Sequence, residues 1–451
     1  MAGAATLATG CGGGDRELDD PTPGRILLIT ADDLGWRDLS SLGNPNLSTP
    51  HLDRLRSGGV SFTRAFDVTS TCASSRTTYA TGQYPHTHGV VGLVHRLPEL
   101  SLPENVDTLA KVLRAAGYLT AIEGKFHLAF PQTPEPYGYD DVMTTLITQW
   151  IQNTDKTLDF IRRRRDERWF FELNYMNPHR NALGEFRQHP DHPIDPATLV
   201  IPEYIRLPDV PGAREELAAY YSQIERMDAM IGEVLETLED LGQLDDTLVV
   251  FISDNGSPFP GNKLTLYDRG TGTPWFFHWP RMLARDVERT ELVSSVDLMP
   301  TIAELAGVDV SVLTVEGSSL VPLLLGDASP SDHDAVFGEM TRHIDEPFPM
   351  RAVRTETHRY IRNYNDVPIP LEGADQPWVE EVLAGGAADY GWGEPRVVEE
   401  LYDLTADPHE TINVVGDPSQ QATLDSLRAR LDEHMTATAD PYLGEPFETE
   451  G

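Results

Sequence analysis

Short apolar runs of strand length alternate with amphipathic helical stretches along most of this chain. That alternation limits the fold more than any other feature. Residues 25–30 (RILLIT), 119–122, 169–175 (WFFELNY), 247–253 (TLVVFIS) and 275–279 read as strands. Between them lie helices with identifiable ends. One opens at Thr49-Pro50 and stops at Gly58-Gly59, and another spans 108–116 and stops at Gly117. The clearest covers 214–241, where Leu217, Tyr221, Ile224, Met227, Ile231, Leu235 and Leu238 recur every three or four positions. A further helix covers 295–306 and closes at Gly307. Strands alternating with helices predict an α/β domain with a mostly parallel central sheet flanked by helices. Beyond about residue 330 the pattern weakens to short strands at 350–354 and 360–363 and a last helix at 419–435. The expected organisation is therefore an atypical N-terminus (1–24), a main domain (25–330), a smaller α+β subdomain (331–445) and a short tail (446–451).

Charge narrows the partners. Asp and Glu number 72 against 35 Lys and Arg, a formal net charge of −37. A nucleic-acid backbone would be repelled. An anionic substrate would need a local basic pocket. Lysine is scarce: Lys111, Lys125, Lys156 and Lys263 are the four in the sequence. Such an acidic, lysine-poor surface suits high salt, where screening removes self-repulsion, so a salt-loving source is expected. No apolar run reaches the roughly 18 residues of a membrane-spanning helix. Two cysteines build neither a disulfide scaffold nor a zinc cluster. The first, Cys11 in ATGC, follows a small apolar stretch and resembles a lipid-attachment site, so export with a lipid anchor is expected.

The chemistry gathers at strand ends, where ligands of open α/β sheets bind. Asp32-Asp33 follows the first strand, and Asp254-Asn255-Gly256 follows the run 247–253. Three carboxylates and an amide oxygen form an all-oxygen set suited to a hard divalent cation, calcium or magnesium. An Asp after a strand also caps a following helix, so each cluster alone allows that simpler reading. Cys72 opens CASSRTTYATG, where residues 73–81 are predicted helical up to Gly82. That puts Cys72 at the positive helix end, with Arg76 one turn on. A lone buried thiol is the plainer alternative.

Taken in order, LLITADDLGWRDL, TPHLDRLRSGGVSFTRAF, CASSRTTYATGQYPHTHG, TLAKVLRAAGYLTAIEGKFHL, NPHR, SDNG, VDLMPTIAELAG and EELYDLTADPHETINV resemble the sulfatase family of the alkaline phosphatase superfamily. The resemblance implies an alkaline phosphatase-like fold. It also implies that Cys72 is oxidised by a formylglycine-generating maturation enzyme. The hydrated aldehyde would attack sulfur with one hydroxyl and expel sulfate with the other. Asp32, Asp33, Asp254 and Asn255, with the residue at Cys72, would hold a divalent cation, usually calcium. Arg76 would stabilise the hydrated aldehyde. Lys125, His127 and His179 would bind sulfate or protonate the leaving group, and Lys263 would grip sulfate. Two of four lysines fall on these positions, which fits metal-plus-cation stabilisation of charge on transferring oxygens.

NPHR, KLTLYDRGT and FPMRAVRT are most similar to the sulfamidase-like, N-sulfoglucosamine sulfohydrolase-like branch. That implies a sulfated carbohydrate substrate, as a sulfate ester or an N-sulfate. His86, His88, His343 and Arg351 are then candidate sugar or sulfate contacts. One position departs from the family. Ser74 stands where the signature has proline or alanine. An unconverted Cys72 would leave a silent anion-binding relative. A phosphodiesterase or phosphonate-type hydrolase on the same metal site is the other alternative.

Overall fold

The computed structural model describes residues 21–145, 151, 153–181, 183–327, 334–344, 346–371, 376–385 and 392–449. Cys11 lies outside the described residues. The main sheet has eight strands: β1 (Arg25–Asp32), β2 (Val60–Phe62), β3 (Leu119–Gly124), β4 (Asp141–Val142), β5 (Trp169–Pro178), β6 (Thr247–Ser253), β7 (Trp275–His278) and β8 (Val287–Arg289). They lie in the order β4-β3-β5-β1-β6-β7-β2-β8. All neighbours are parallel except β7, which runs antiparallel to both β6 and β2. No long crossover helix separates β6 from β7, where Asp268–Thr271 forms a single helical turn.

β1 shows why the sheet is a middle layer. Ile26 and Leu28 pack on one face with the helices Leu109–Ala115 and Leu298–Leu305. Leu27, Ile29 and Ala31 pack on the other, against the long helix Pro211–Asp240. Both faces are covered, so the strand is apolar throughout. The long helix starts earlier than its apolar repeat because Pro211 occupies its first turn, where a missing N–H is harmless. The stretch 295–306 begins as a tight 3-10 turn, Ser295–Asp297, closed by a capping box between Ser294 and Asp297. Thr49 precedes the helix Pro50–Ser57 as expected, but its hydroxyl donates to Asp53 Oδ1 and does not cap.

A second sheet is antiparallel: β9 (Ala335–Arg342), β10 (Pro347–Thr355), β11 (His358–Asn363) and β12 (Glu399–Asp403), in that order. Leu424, Leu427, Leu431 and Met435 of the helix Gln421–Ala437 pack on one face, with Val353, Tyr360 and Leu401. The other face buries Leu264 and Leu266 with Met340, Phe348, Met350, Ala352 and Ile361. The small sheet therefore holds the loop that follows Lys263.

Candidate active site

Sheet register brings the predicted residues to one edge. Ala31 of β1 stands opposite Ser253 of β6, so Asp32-Asp33 and Asp254-Asn255 leave their strands side by side. Thr30 stands opposite Asn174 on the other flank, and Asp32 opposite Pro178, which delivers His179. Gly124 ends β3 opposite the same Asn174, and Lys125 N–H donates to the Asn174 carbonyl at 3.2 Å. The 10-residue helix Cys72–Thr81 is buried along its whole length and ends on Gly82 at φ 66°. A left-handed residue there suits glycine.

Cys72 is the first residue of that helix and is 2% exposed. Its Sγ lies 3.6 Å from Asp32 Oδ1, 3.9 Å from Asp33 Oδ1 and 3.6 Å from Asn255 Oδ1. Asp33 adopts a left-handed backbone, φ 71°, held by its N–H donating to Asp254 Oδ1 at 3.1 Å. Asn255 Nδ2 donates to Asp33 Oδ1 at 2.7 Å. Strain at a short polar residue, pinned by its neighbours, is characteristic of functional sites.

Cations interleave with these oxygens. Arg76 Nε donates to Asp254 Oδ2 at 2.8 Å, and its Nη2 lies 3.4 Å from Asp32 Oδ2. Lys125 Nζ pairs with Asp32 Oδ2 at 2.5 Å, and Lys263 Nζ with Asp33 Oδ1 at 2.7 Å. His179 Nδ1 bonds the Arg180 carbonyl at 2.6 Å, so Nδ1 carries the proton and Nε2 faces Asp33 Oδ2 at 3.7 Å. Ligand atoms of Asp32, Asp33, Cys72 and His179 all fall within 4.8 Å of one another.

Burial alone would raise Asp32 and Asp33. Lys125, His179 and Arg76 override it for Asp32, and Lys263 and His179 lead for Asp33, so both sit below the usual carboxylate range. The Cys72 thiol goes the other way. Burial pushes it well up, Asp254 and Asp32 add to that, and Lys125 and Lys263 oppose it. It is a neutral thiol and a poor nucleophile as it stands. Burial, then the Lys125 charge, also holds His127 well below its usual range.

Each remaining candidate has a definite place. His343 Nδ1 bonds Thr71 Oγ1 at 2.8 Å, immediately before Cys72. Burial first, then Lys263, His95, His179 and Lys125, push it down, which ties it electrostatically to the same site. His88 is a core residue, bonded to Thr78 Oγ1 at 3.2 Å. His86 and Arg351 lie in a different cluster from the Cys72 group. His86 Nδ1 meets Glu339 Oε2 at 2.5 Å, and its Nε2 bonds the Thr438 carbonyl. Arg351 stands opposite Glu339 across β9 and β10 and grips Asp440 at 2.5 and 3.1 Å. These buried bonds tie His86 to the second sheet and to the C-terminal segment, and Arg351 to that same segment. Sequence reading passed over His95, whose Nδ1 lies 2.9 Å from His127 Nε2. Nothing in GVVGLVHRLPEL distinguishes that histidine from a surface one.

A family model described as Sulfatase matches residues 25–308, well over half the chain. The chain belongs to the sulfatase family. A second model, described as N-sulphoglucosamine sulphohydrolase, C-terminal, matches residues 261–370 of this sulfatase. The human N-sulphoglucosamine sulphohydrolase is 31% identical over 94% of this chain and 92% of its own. An ulvan-active sulfatase of Formosa agariphila is 27% identical over 94% of this chain and 76% of its own. Among solved structures, BT4656 in complex with its substrate D-glucosamine-2-N,6-O-disulfate superposes with a TM-score of 0.71 at 21% identity, covering 94% of this chain and 99% of that one. A phosphonate monoester hydrolase from Silicibacter pomeroyi gives 0.69 at 21%, covering 93% and 96%. The family and the mixed α/β architecture expected from the sequence are those found, and the sulfatase is an enzyme of the sulfuric ester hydrolase class.

Proposed function

We propose that this sulfatase removes sulfate from a sulfated sugar, with N-sulfated glucosamine as the first candidate, using a formylglycine made from Cys72 and a divalent cation. The observation that carries the reading is the meeting of Cys72, two pairs of strand-end oxygens and two buried lysines in one closed cluster. The donor set fits a hard cation: Asp32, Asp33, Asp254 and the Asn255 amide oxygen are all buried oxygens. Calcium suits such a carboxylate-rich set, and magnesium is the second choice. Charge supports the same reading. Three buried carboxylates face the three buried cations Arg76, Lys125 and Lys263. A divalent cation would leave two positive charges in excess, the charge of one sulfate dianion.

When present, the formylglycine would supply the attacking oxygen and the cation would offset charge on sulfate. The chain's own groups do the rest. Arg76 and Lys125 sit beside Asp32, where both flank an oxygen bound at the Cys72 position. Lys263 gives the second buried ammonium. His179, 28% exposed, stands at the opening with its Nδ1–H fixed on the Arg180 carbonyl, so Nε2 is the atom that, once it has taken up a proton, passes it to a leaving nitrogen or oxygen. The N-sulfated sugar is favoured by the 31% identity to an N-sulphoglucosamine sulphohydrolase and by the matching C-terminal model.

Cys72 and Arg76 are buried, so a maturation enzyme would act on the chain before folding closes the site. Mass spectrometry of the Cys72 peptide from protein made in its native host tests the nucleophile. A loss of about 18 Da relative to cysteine supports it, and a free thiol throughout would overturn it. Sulfate release from N-sulfoglucosamine against its 6-O-sulfated isomer then tests the substrate.

A further inference from the structure

His95 and His127 form a bonded imidazole pair to which the proposed function above assigns no step. His95 Nδ1 lies 2.9 Å from His127 Nε2, with ring centroids 5.1 Å apart and planes inclined at 30°. One nitrogen of the contact donates and the other accepts, so the pair shares a single proton along that line. His127 is 1% exposed, and its other nitrogen, Nδ1, is buried with no hydrogen-bond partner among the described residues. His95 is half-buried, and His127 is its hydrogen-bond partner among the described residues. The pair thus runs from an unpartnered buried nitrogen, on the residue two beyond Lys125, to a half-buried imidazole.

We infer that His95 is a positioning residue for His127, fixing its tautomer and carrying its proton between the buried site and solvent. The inference rests on the sulfatase reading for the identity of the hydroxyl served. In the outward direction, His127 Nδ1 accepts a proton from a hydroxyl at the Cys72 position. The proton on His127 Nε2 passes to His95 Nδ1, and the proton on His95 Nε2 leaves to water. One proton enters the pair and one leaves, and both rings end as the opposite tautomer. The reverse passage resets them when the site takes up a proton. No redox partner is needed.

The surroundings favour neutral rings. Burial first, then Lys125 and Arg96, hold His95 at about 4, and His179 adds to this. Around His127 stand Lys125, His95, Arg76 and His179. Both rings are therefore neutral near pH 7, when each has one proton to give and one free nitrogen to receive another.

Two variants separate relay from scaffold. In His95→Gln, an amide oxygen still accepts from His127 Nε2–H but cannot pass a proton on. In His95→Ala neither is possible. Nitrogen-15 NMR of histidine-labelled protein with unconverted Cys72 reads the His127 tautomer without any activity. The expected result is an Nε2–H tautomer in wild type and His95→Gln, and a changed or averaged pattern in His95→Ala. An unchanged His127 in His95→Ala would overturn the positioning role. In converted enzyme, His95→Gln should lower kcat by about tenfold or more with KM unchanged, within the range of general acid–base effects. Free imidazole should restore rate to His95→Ala. Wild-type kcat in His95→Gln would overturn the relay. Absence of sulfate turnover in the wild type would remove the sulfatase reading instead, and the ring tautomers would still decide the pair.

Discussion

Replacing Lys125 with methionine separates the two tasks of the cluster, holding a cation and holding sulfate. Lys125 Nζ lies 2.5 Å from Oδ2 of Asp32, a carboxylate the proposed cation also needs. At about 4 Å, two unit charges interact by about 4 kcal/mol at an effective dielectric of 20. Removing the ammonium therefore removes a repulsion of that order against a bound cation, before relaxation takes its share. Even a third of it, about 1.4 kcal/mol, is a tenfold gain in affinity. In the cation-free protein the same change leaves Asp32 with Arg76 at 3.4 Å as its main partner. Breaking a buried pair costs about 3–5 kcal/mol. Lys125→Met should thus be less stable than wild type in chelator, bind calcium at least tenfold more tightly by calorimetry, and lose most sulfate release. Calcium should restore most of the lost stability in urea unfolding, because binding to the folded state alone adds about 2.7 kcal/mol at a hundredfold excess over Kd. Calcium binding weaker than wild type would refute the shared-carboxylate argument.

Three further outcomes follow from the same structure. Leu266→Ala, in the loop after Lys263 that packs on the small sheet, should cost about 2–5 kcal/mol and raise KM for the sulfated substrate. A stability loss with unchanged KM would show that the sheet does not steady Lys263. Burial would lower His86, but the Glu339 hydrogen bond and charge lift it above its ordinary 6.5, so its stabilising contribution is full below pH 6.5 and is lost as pH rises through the folded value. His86→Ala should therefore lower Tm most in mildly acid buffer and least in alkaline buffer, and an equal loss at both would argue against the ion pair. Self-repulsion at −37 predicts a Tm that rises with potassium chloride and levels off once screening is complete, as followed by calorimetry. A salt-independent Tm would refute it.

The elements that position the site were legible because each carries a local signal. β1 and β6 are apolar runs that stop at acidic residues, and the Cys72 helix stops at a glycine that adopts φ 66°. What pairs with what was not legible. Nothing local tells Glu339 that Arg351 will stand opposite it, or that Asp440 will close on Arg351 and His86. His86 and Arg351 read from the sequence as candidate sugar or sulfate contacts, and their buried partners far along the chain carry no local signal. The reversal of β7 escaped for the same reason, since strand direction depends on which neighbour an edge finds. His95 escaped because its only distinction is the ring it touches.

The choice of lysine at two buried positions carries a last consequence. Lys125 and Lys263 are 1% and 3% exposed, whereas Lys156 is exposed and Lys111 is partly so. The sequence otherwise prefers arginine wherever it places a fixed charge, including Arg76 in the same cluster. A guanidinium is planar and wider, and its donors point in a fixed fork, whereas an ammonium is a compact point charge. Where a cation must share the carboxylate of Asp32 with a positive side chain, the compact charge leaves room and the fork does not. Lys125→Arg keeps the charge and adds volume to a closed site, which costs about 1–3 kcal/mol in overpacking. It should weaken calcium binding and sulfate release together, although formal charge is unchanged. Wild-type calcium affinity in Lys125→Arg would mean that charge alone matters at this position and that the shape argument is wrong.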